Sequence, residues 1–347
     1  FGRYEITEIL GRGGMGVVMR GFDPALDRHS AVKVLAPELA TSAAARRRFS
    51  REAKSAAAVV HDHVIPIQTV DEERGLPYLV MAVVEGQSLE QRVADEGPLP
   101  VVEILRIGMQ IASGLAAAHA QGLVHRDIKP ANILLENGVE RVMITDFGLA
   151  RAADDANMTR SGVIAGTPQY MSPEQARGED VDHRSDLFSL GSVLYFICTG
   201  RSPFRAETMM GVLNRIANDK PRSLRKINAD VPAWLQAIIE RLLDKDREQR
   251  FQSAAEVADL LGRWLAHLQQ PDVAPRPAEP ATPLASMGSG SYRNRKLIGL
   301  AAAGGAILFA AVVVILQWNK GTIKINCPRP DVGIRIMKGD KLYDELT

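Results

Sequence analysis

Apolar and polar positions along the 347-residue chain change rhythm several times, and each rhythm predicts an element. Up to about residue 85, short runs of Val, Ile and Leu alternate with polar residues and are broken by Gly and Pro, the pattern of strands. One stretch there differs. Between about Ala43 and Ala58, the residues Phe49, Glu52, Ala53 and Ala56 fall on one face at helical spacing. Farther along, helices prevail. Ile104, Ile107, Ile111, Leu115 and Ala118 recur at helical spacing, and Ser189 to Thr199 is apolar all round, as in a helix buried on every side. The expected fold class is α+β, with a small β-rich lobe carrying one helix, then a larger α-helical lobe, together spanning residues 1–268.

The rhythm then stops. Residues 269–296 turn rich in Pro, Ala, Ser and Gly from Pro271 onward. Such composition does not bury a core and reads as a juxtamembrane linker. Leu297 to Trp318 follows without a charge. About 22 residues at roughly 1.5 Å each reach about 33 Å, enough for a bilayer core. The alternative, a buried core helix, fits poorly beside a linker and the flanking Arg293, Arg295 and Lys296. Lys320 and Lys324 lie on the other side, so the positive-inside rule leans by a small margin toward residues 1–296 in the cytoplasm. Beyond the apolar run, Gly321–Ile325 and Gly333–Ile336 alternate and predict two short strands. Residues 319–347 are too few for a stable sheet domain. They read as the start of an extracytoplasmic β-rich region that continues past Thr347, and Phe1 in place of Met predicts further residues before it.

Composition narrows the class without deciding it. The chain is 46% hydrophobic and 24% charged, ordinary for a globular protein. Its net charge of +1 gives no reason to expect a nucleic-acid partner. The two cysteines, Cys198 and Cys327, are far apart, with neither disulfide-framework nor zinc-ligand spacing.

The candidate chemistry is concentrated in short motifs. Leu10-Gly11-Arg12-Gly13-Gly14-Met15-Gly16-Val17-Val18 lies between two strand-like runs. Glycines there let backbone approach phosphates. The spacing alone also fits a dinucleotide fingerprint or a plain hairpin, but Val17 to Gly21 continues as a strand rather than opening a helix. Lys33 sits in the apolar strand Ala31–Leu35, and an ammonium there needs a partner. Glu52, an acid on the apolar face of a helix, is the expected one, ahead of Glu38 on a post-proline turn. In His125-Arg126-Asp127-Ile128-Lys129-Pro130-Ala131-Asn132, followed by Asp146-Phe147-Gly148, two acids, an amide and a lysine stand beside apolar strands. Asp127 can take a proton from a hydroxyl, Lys129 can neutralise a transferring phosphoryl group, and Asn132 and Asp146 offer hard oxygens to Mg²⁺.

These motifs together resemble the bacterial receptor-like (Hanks-type) Ser/Thr protein kinases with a single transmembrane helix. The resemblance covers residues 1 to about 268 and implies a bilobal kinase fold that moves the γ-phosphoryl group of ATP to Ser or Thr hydroxyls of proteins. It implies ATP held by Leu10, Gly11, Gly13, Gly16, Val18, Ala31, Lys33, Glu52, Met81 and Val83, with Met81 as gatekeeper and Ala82 to Val83 as the hinge. It implies catalysis by Asp127, Lys129 and Asn132, and Mg²⁺ on Asn132 and Asp146. Where many relatives carry an acid and an aromatic, this chain has Ala82-Val83. Phe188 likewise stands in place of a tryptophan.

Further implications follow. Glu174 of Ser172-Pro173-Glu174 would pair with Arg250, and Asp186 would bond the backbone of the catalytic loop. His119 and His125 would serve packing and hydrogen bonding. Thr159 and Ser161 would be autophosphorylated and face Arg126, and Thr167 would mark Ser/Thr specificity. The expected setting is signal transduction at the plasma or inner membrane, with a single pass and the kinase in the cytoplasm. A homodimer would let the kinase act in trans. Two rival readings make different demands on the sequence. A membrane-tethered pseudokinase scaffold would lack a metal or base residue, and a small-molecule kinase would lack Arg126, Thr167 and Ser172-Pro173-Glu174.

Overall fold

A computed structural model describes residues 1–14, 16–136, 141–147 and 168–279, together with the backbone of 334–338 and 341–346. The chain forms two compact units, Phe1–Thr282 and Pro283–Thr347.

The first unit opens with an antiparallel sheet of five strands: β1 (Glu5–Gly13), β2 (Gly16–Asp23), β3 (Arg28–Leu35), β4 (Ile67–Glu73) and β5 (Leu76–Ala82), in spatial order β1-β2-β3-β5-β4. The most apolar strands, β3 and β5, take the interior positions, while β1 lies at an exposed edge. Between β3 and β4 run α1 (Pro37–Ala40) and α2 (Ala43–Ala57). The single turn α1, started by Pro37 at its first position, is one helix more than the pattern predicts. Ser42 caps α2, its Oγ accepting from Ala45 N at 3.3 Å. The expected face of α2 is the buried one: Ala45, Phe49, Glu52, Ala53 and Ala56. Phe49 and Ala53 share a core with Leu35, Leu79 and Met81.

The second lobe comprises β6 (Gly86–Ser88), α3 (Leu89–Glu96), α4 (Val101–Ala120), β7 (Ile133–Glu136), β8 (Arg141–Ile144), α5 (Pro173–Arg177), α6 (Arg184–Thr199), α7 (Met209–Asn218), α8 (Ala233–Leu242) and α9 (Ala254–Gln269). Strands β6, β7 and β8 make a small antiparallel sheet. Among the described residues α4 is long and apolar enough to cross a membrane. Its apolar stripe is spent on the core instead: Ile104, Leu105, Ile107, Ile111 and Leu115 are exposed by 1% or less. Burying each such side chain is worth about 1.5–3 kcal/mol. Helix α6 is buried on nearly every side, as its all-apolar sequence predicts. The lobes are stitched where Ile65 N donates to Ile144 O and Ile144 N donates to His63 O, each at 2.9 Å. This bridge fixes the end of β8 beneath the first lobe.

The compact unit extends past the boundary expected from composition. After α9, Ala274 N donates to Gln270 O at 2.9 Å, and His267 Nδ1 bonds Ala274 O at 2.8 Å. The Arg276 guanidinium lies 5.6 Å from the centre of the Trp264 ring, and Pro277 is buried. Trp264 itself stacks on Trp234 at 3.9 Å. Among the described residues, the start of the Pro-rich stretch settles on α9, which offers it an indole to cover.

The second unit contains the antiparallel pair β9 (Ile334–Lys338) and β10 (Lys341–Leu346). The strand expected near Ile336 is present, and β10 was not expected. Residues 297–318 and 321–325 lie outside the described residues.

Candidate active site

The β7–β8 hairpin assembles the centre of the site. Ile133 pairs with Ile144, and Thr145 N donates to Asn132 O at 3.0 Å. Asn132 and Asp146 therefore emerge side by side at the open end of the hairpin. Asn132 is 6% exposed. Its Nδ2 donates to Asp127 O at 2.8 Å and to Asp127 Oδ2 at 3.1 Å. Lys129 Nζ donates to the same Oδ2 at 2.8 Å. Asp127 is thus held by an amide and an ammonium on one oxygen while its side chain stays partly open to solvent.

The loop between His125 and Asp127 is fixed from below. Asp186, fully buried at the start of α6, accepts from His125 N at 2.8 Å and from Arg126 N at 2.7 Å. His119 Nε2 lies 2.8 Å from Asp186 Oδ2. His125 is buried, with Nε2 2.9 Å from Thr145 O and Nδ1 accepting from Asp127 N at 3.2 Å. Its ring therefore spans the two motif loops, as expected of a packing residue. Arg126 and Asp146 adopt left-handed backbone, with φ of 68° and 67°. Non-glycine residues seldom do so without being held there.

Lys33 is 5% exposed on β3, and its Nζ lies 2.7 Å from Asp146 Oδ1. Burial works to raise the Asp146 carboxyl. The charge and hydrogen bond of Lys33 outweigh it, with Lys129 adding to them, and leave Asp146 below the usual carboxylate range. It is therefore ionised at neutral pH. Glu52 is buried on the inward face of α2, at 9% exposure.

Above this centre, the β1–β2 hairpin carries Gly11 and Gly13 on β1 and opens β2 with Gly16. Gly16 has φ of +149°, and a Cβ there would overlap the Val34 carbonyl oxygen. Only glycine fits. Leu10 is exposed by 43%, Val18 is half-buried, and Ala31 is buried. Met81 is 6% exposed at the end of β5, with Thr145 Oγ1 3.9 Å from its sulfur, and Val83 follows half-buried. A small apolar cavity behind Met81 is walled by Ile65, Leu79, Asp146 and Phe147.

The far end of the loop that starts at Asp146 is also anchored. Arg250 donates from Nη1 to Glu174 Oε1 at 2.8 Å and from Nη2 to Glu174 Oε2 at 2.9 Å, with both residues buried. Ser185 Oγ donates to Glu174 Oε1 at 2.5 Å. Ser172 and Gln175 form a capping box at α5, and Gln175 Nε2 donates to Arg126 O at 2.8 Å. That last tie went unnoticed in the sequence. Its signal, a Ser followed three residues later by Gln, is legible as a capping box, but the reach to Arg126 is not. Gly148, Thr159, Ser161, Gly166 and Thr167 lie outside the described residues.

The donor set suits a phosphate-and-magnesium site. Mg²⁺ prefers one or two protein oxygens plus phosphate oxygens, which an ionised carboxylate beside an amide provides. Among the described residues there is no group of three or more His, Cys, Asp or Glu placed to hold a metal without such a ligand.

Comparison with known proteins agrees with this geometry. The chain is 39% identical over 298 residues to the serine/threonine-protein kinase PknB of Mycobacterium leprae, covering 84% of this chain and 47% of that protein. It is 40% identical over 281 residues to PknB of Mycobacterium tuberculosis, covering 79% and 44%. The chain thus spans about half the length of these relatives. Among solved structures, the PknI kinase domain of Mycobacterium tuberculosis superposes with a TM-score of 0.62 at 31% identity, covering 76% of this chain and 95% of that one. Residues 4–260, well over half of the chain, match the profile of the protein kinase domain, and the chain belongs to that family.

Proposed function

We propose that the chain is an ATP-dependent serine/threonine protein kinase that transfers the γ-phosphoryl group of ATP to Ser or Thr hydroxyls of protein substrates. The observation that carries this reading is the convergence on one hairpin end of Asp127, Asn132 and an ionised Asp146 paired with Lys33 at 2.7 Å. Asp127 would orient the acceptor hydroxyl and take its proton. Lys129 would face the charge that develops in transfer. Lys33, steadied by Glu52, would hold the α and β phosphates beneath Gly11, Gly13 and Gly16. Leu10, Val18, Ala31, Met81 and the backbone of Val83 would enclose the adenine. Asn132 and Asp146 would hold Mg²⁺, which when bound neutralises phosphate charge. Most of the acceleration in this scheme comes from positioning.

The wider setting is part of the same proposal. Leu297 to Trp318 would cross the plasma or inner membrane once, with the kinase in the cytoplasm, where ATP is. Autophosphorylation at Thr159 or Ser161, within one chain or between two copies, would add charge that pairs with Arg126. The pseudokinase alternative gains no support, since no metal or base position is lost from the sequence.

The test is transfer of labelled phosphate to a generic protein substrate. Asp127→Asn and Asp146→Asn should each lose about 10²-fold or more in rate, and Asp127→Asn should keep the unfolding midpoint, whereas Asp146→Asn also removes the carboxylate paired with Lys33. Full activity of either variant at saturating ATP overturns the assignment.

A further inference from the structure

The outer face of α2 is built against its own electrostatics. Arg46, Arg47, Arg51 and Lys54 stand within three turns of one helix, and no acid occupies its first turn. Like charges at this spacing repel. Cations near a helix N-terminus also oppose the macrodipole. Elsewhere in the unit, arginines such as Arg20, Arg92, Arg184, Arg247 and Arg250 each meet a carboxylate. Among the described residues, Arg46, Arg47, Arg51 and Lys54 of this helix show no carboxylate partner. Arg46 Nη1 donates to the Ala40 carbonyl at 2.6 Å, which orients that guanidinium, while Arg47, Arg51 and Lys54 are exposed.

These side chains do not lie on a flat surface. With Ser50 and Glu72 of β4 they line an open groove of about 770 Å³. Four cations against one carboxylate leave the groove strongly positive in a chain whose net charge is only +1. We propose that this groove docks a phosphorylated segment of a partner protein, with the phosphoryl oxygens taken by Arg47 and Arg51 and flanking charge by Arg46 and Lys54.

Three features favour this occupant over other anions. Arginine forks match phosphate oxygens in bidentate pairs, and arginines supply three of the four charges. A helix that lies in a bilayer inserts its apolar face, and the apolar face of α2 is already buried on the sheet, so a lipid surface would be held by charge alone. Glu72 in the wall would repel an extended polyanion such as nucleic acid but leaves space for one compact dianion. The groove lies on the opposite face of the helix that carries Glu52, so an occupant would relieve the repulsion along α2 and steady that residue. The link to Glu52 rests on the kinase reading, and the docking itself does not.

The experiment measures binding without phosphoryl transfer, so its failure is distinct from failure of that reading. The full chain, held in neutral detergent, is titrated into a labelled twelve-residue peptide with one phosphothreonine beside a single glutamate among neutral residues, and into its unphosphorylated twin. The phosphopeptide should bind at least about tenfold more tightly. Its affinity should fall steeply between about 50 and 200 mM salt. The exposed reversal Arg47→Glu/Arg51→Glu should cost about tenfold or more in affinity while the unfolding midpoint holds. The milder pair Arg51→Gln/Lys54→Gln should give a smaller loss in the same direction, and it stands in if the reversal fails to fold. Equal binding of the twin peptides, or unchanged affinity in both variants, overturns the proposal. Capture of phosphatidylglycerol vesicles through Arg47 and Arg51, with no phosphopeptide binding, overturns it in favour of a lipid surface.

Discussion

Replacing Arg250 by Met leaves a buried carboxylate of the second lobe without its main counter-charge. Arg250 is 1% exposed and donates to both oxygens of Glu174, to the Arg184 carbonyl at 3.0 Å and to the Asp244 carbonyl at 2.8 Å. Removing one partner of a buried pair strands the other charge, which costs about 3–5 kcal/mol. The depressed carboxyl of Glu174 corresponds to a similar magnitude. Burial acts to raise its carboxyl. The hydrogen bonds and charge of Arg250, with Ser185, overcome that and bring it from 4.5 down to about 2. A drop of that size corresponds to about 3 kcal/mol. The folded pKa is depressed, so this stabilisation is complete above pH 4.5 and is lost as the pH falls toward 2. In Arg250→Met, burial acts on Glu174 with its main counter-charge gone and the carboxyl moves up. Its contribution then changes sign, and acidification toward pH 4.5, rather than below it, should stabilise the fold at this site. Urea unfolding followed by tryptophan fluorescence between pH 7 and pH 2.5 reads both effects. Arg250→Met/Glu174→Met should regain much of the loss at pH 7, since a buried pair replaced by apolar groups is often nearly neutral. A single variant within about 1 kcal/mol of the parent at pH 7, or with the parent's acid slope, would refute the reasoning.

Other outcomes are equally specific. Asp186→Ala strands two buried backbone donors, so it should cost about 2–4 kcal/mol and speed hydrogen exchange at His125 and Arg126. Unchanged exchange there would contradict the bonds described. Gly16→Ala should lower the melting midpoint and raise the KM for ATP, whereas Gly13→Ala, whose added Cβ meets nothing within 4 Å, should leave the midpoint nearly unchanged. Equal melting midpoints for the two variants would count against the strand geometry. On intact cells, a membrane-impermeant thiol reagent should reach Cys327. Cys198 should stay unlabelled until unfolding, because it is buried and burial pushes its thiol above the usual range. Labelling of Cys327 only after the cells are lysed would reverse the proposed topology.

Motif spelling makes most of the candidate site legible in the sequence. Asp127, Asn132 and Asp146 lie in runs whose order in the chain is also their order around the β7–β8 hairpin, so local sequence nearly fixes their geometry. Glu174 and Arg250 are 76 residues apart, and only the family pattern joined them. Lys33 shows the limit of such reading. An ammonium in an apolar strand announces a need for a carboxylate, but several acids can reach it, and the contact with Asp146 depends on how the lobes meet at Ile144. The packed stretch after α9 was missed for a related reason. Composition counts what a segment can bury in itself, whereas Arg276 and Pro277 settle on a neighbour's Trp264. Thr145, Ser185 and Gln175 went unremarked because small polar residues in loops look alike until a partner is placed opposite them.

The left-handed backbone at Arg126 and Asp146 sets a limit on how stable this domain can become. A side chain in that region costs of order 1–3 kcal/mol relative to a relaxed conformation. Asp186 absorbs the strain at Arg126 by gripping the amides on either side of the turn's entry, and the Lys33 ion pair helps hold Asp146. A search that rewarded thermal resistance alone would therefore drift toward glycine at Arg126, whereas Asp146→Gly would also leave the buried Lys33 without this carboxylate and lose more than the backbone gains. Arg126→Gly would relax the backbone and delete the guanidinium proposed to meet phosphate. Selection for melting temperature and selection for turnover should part company at that residue.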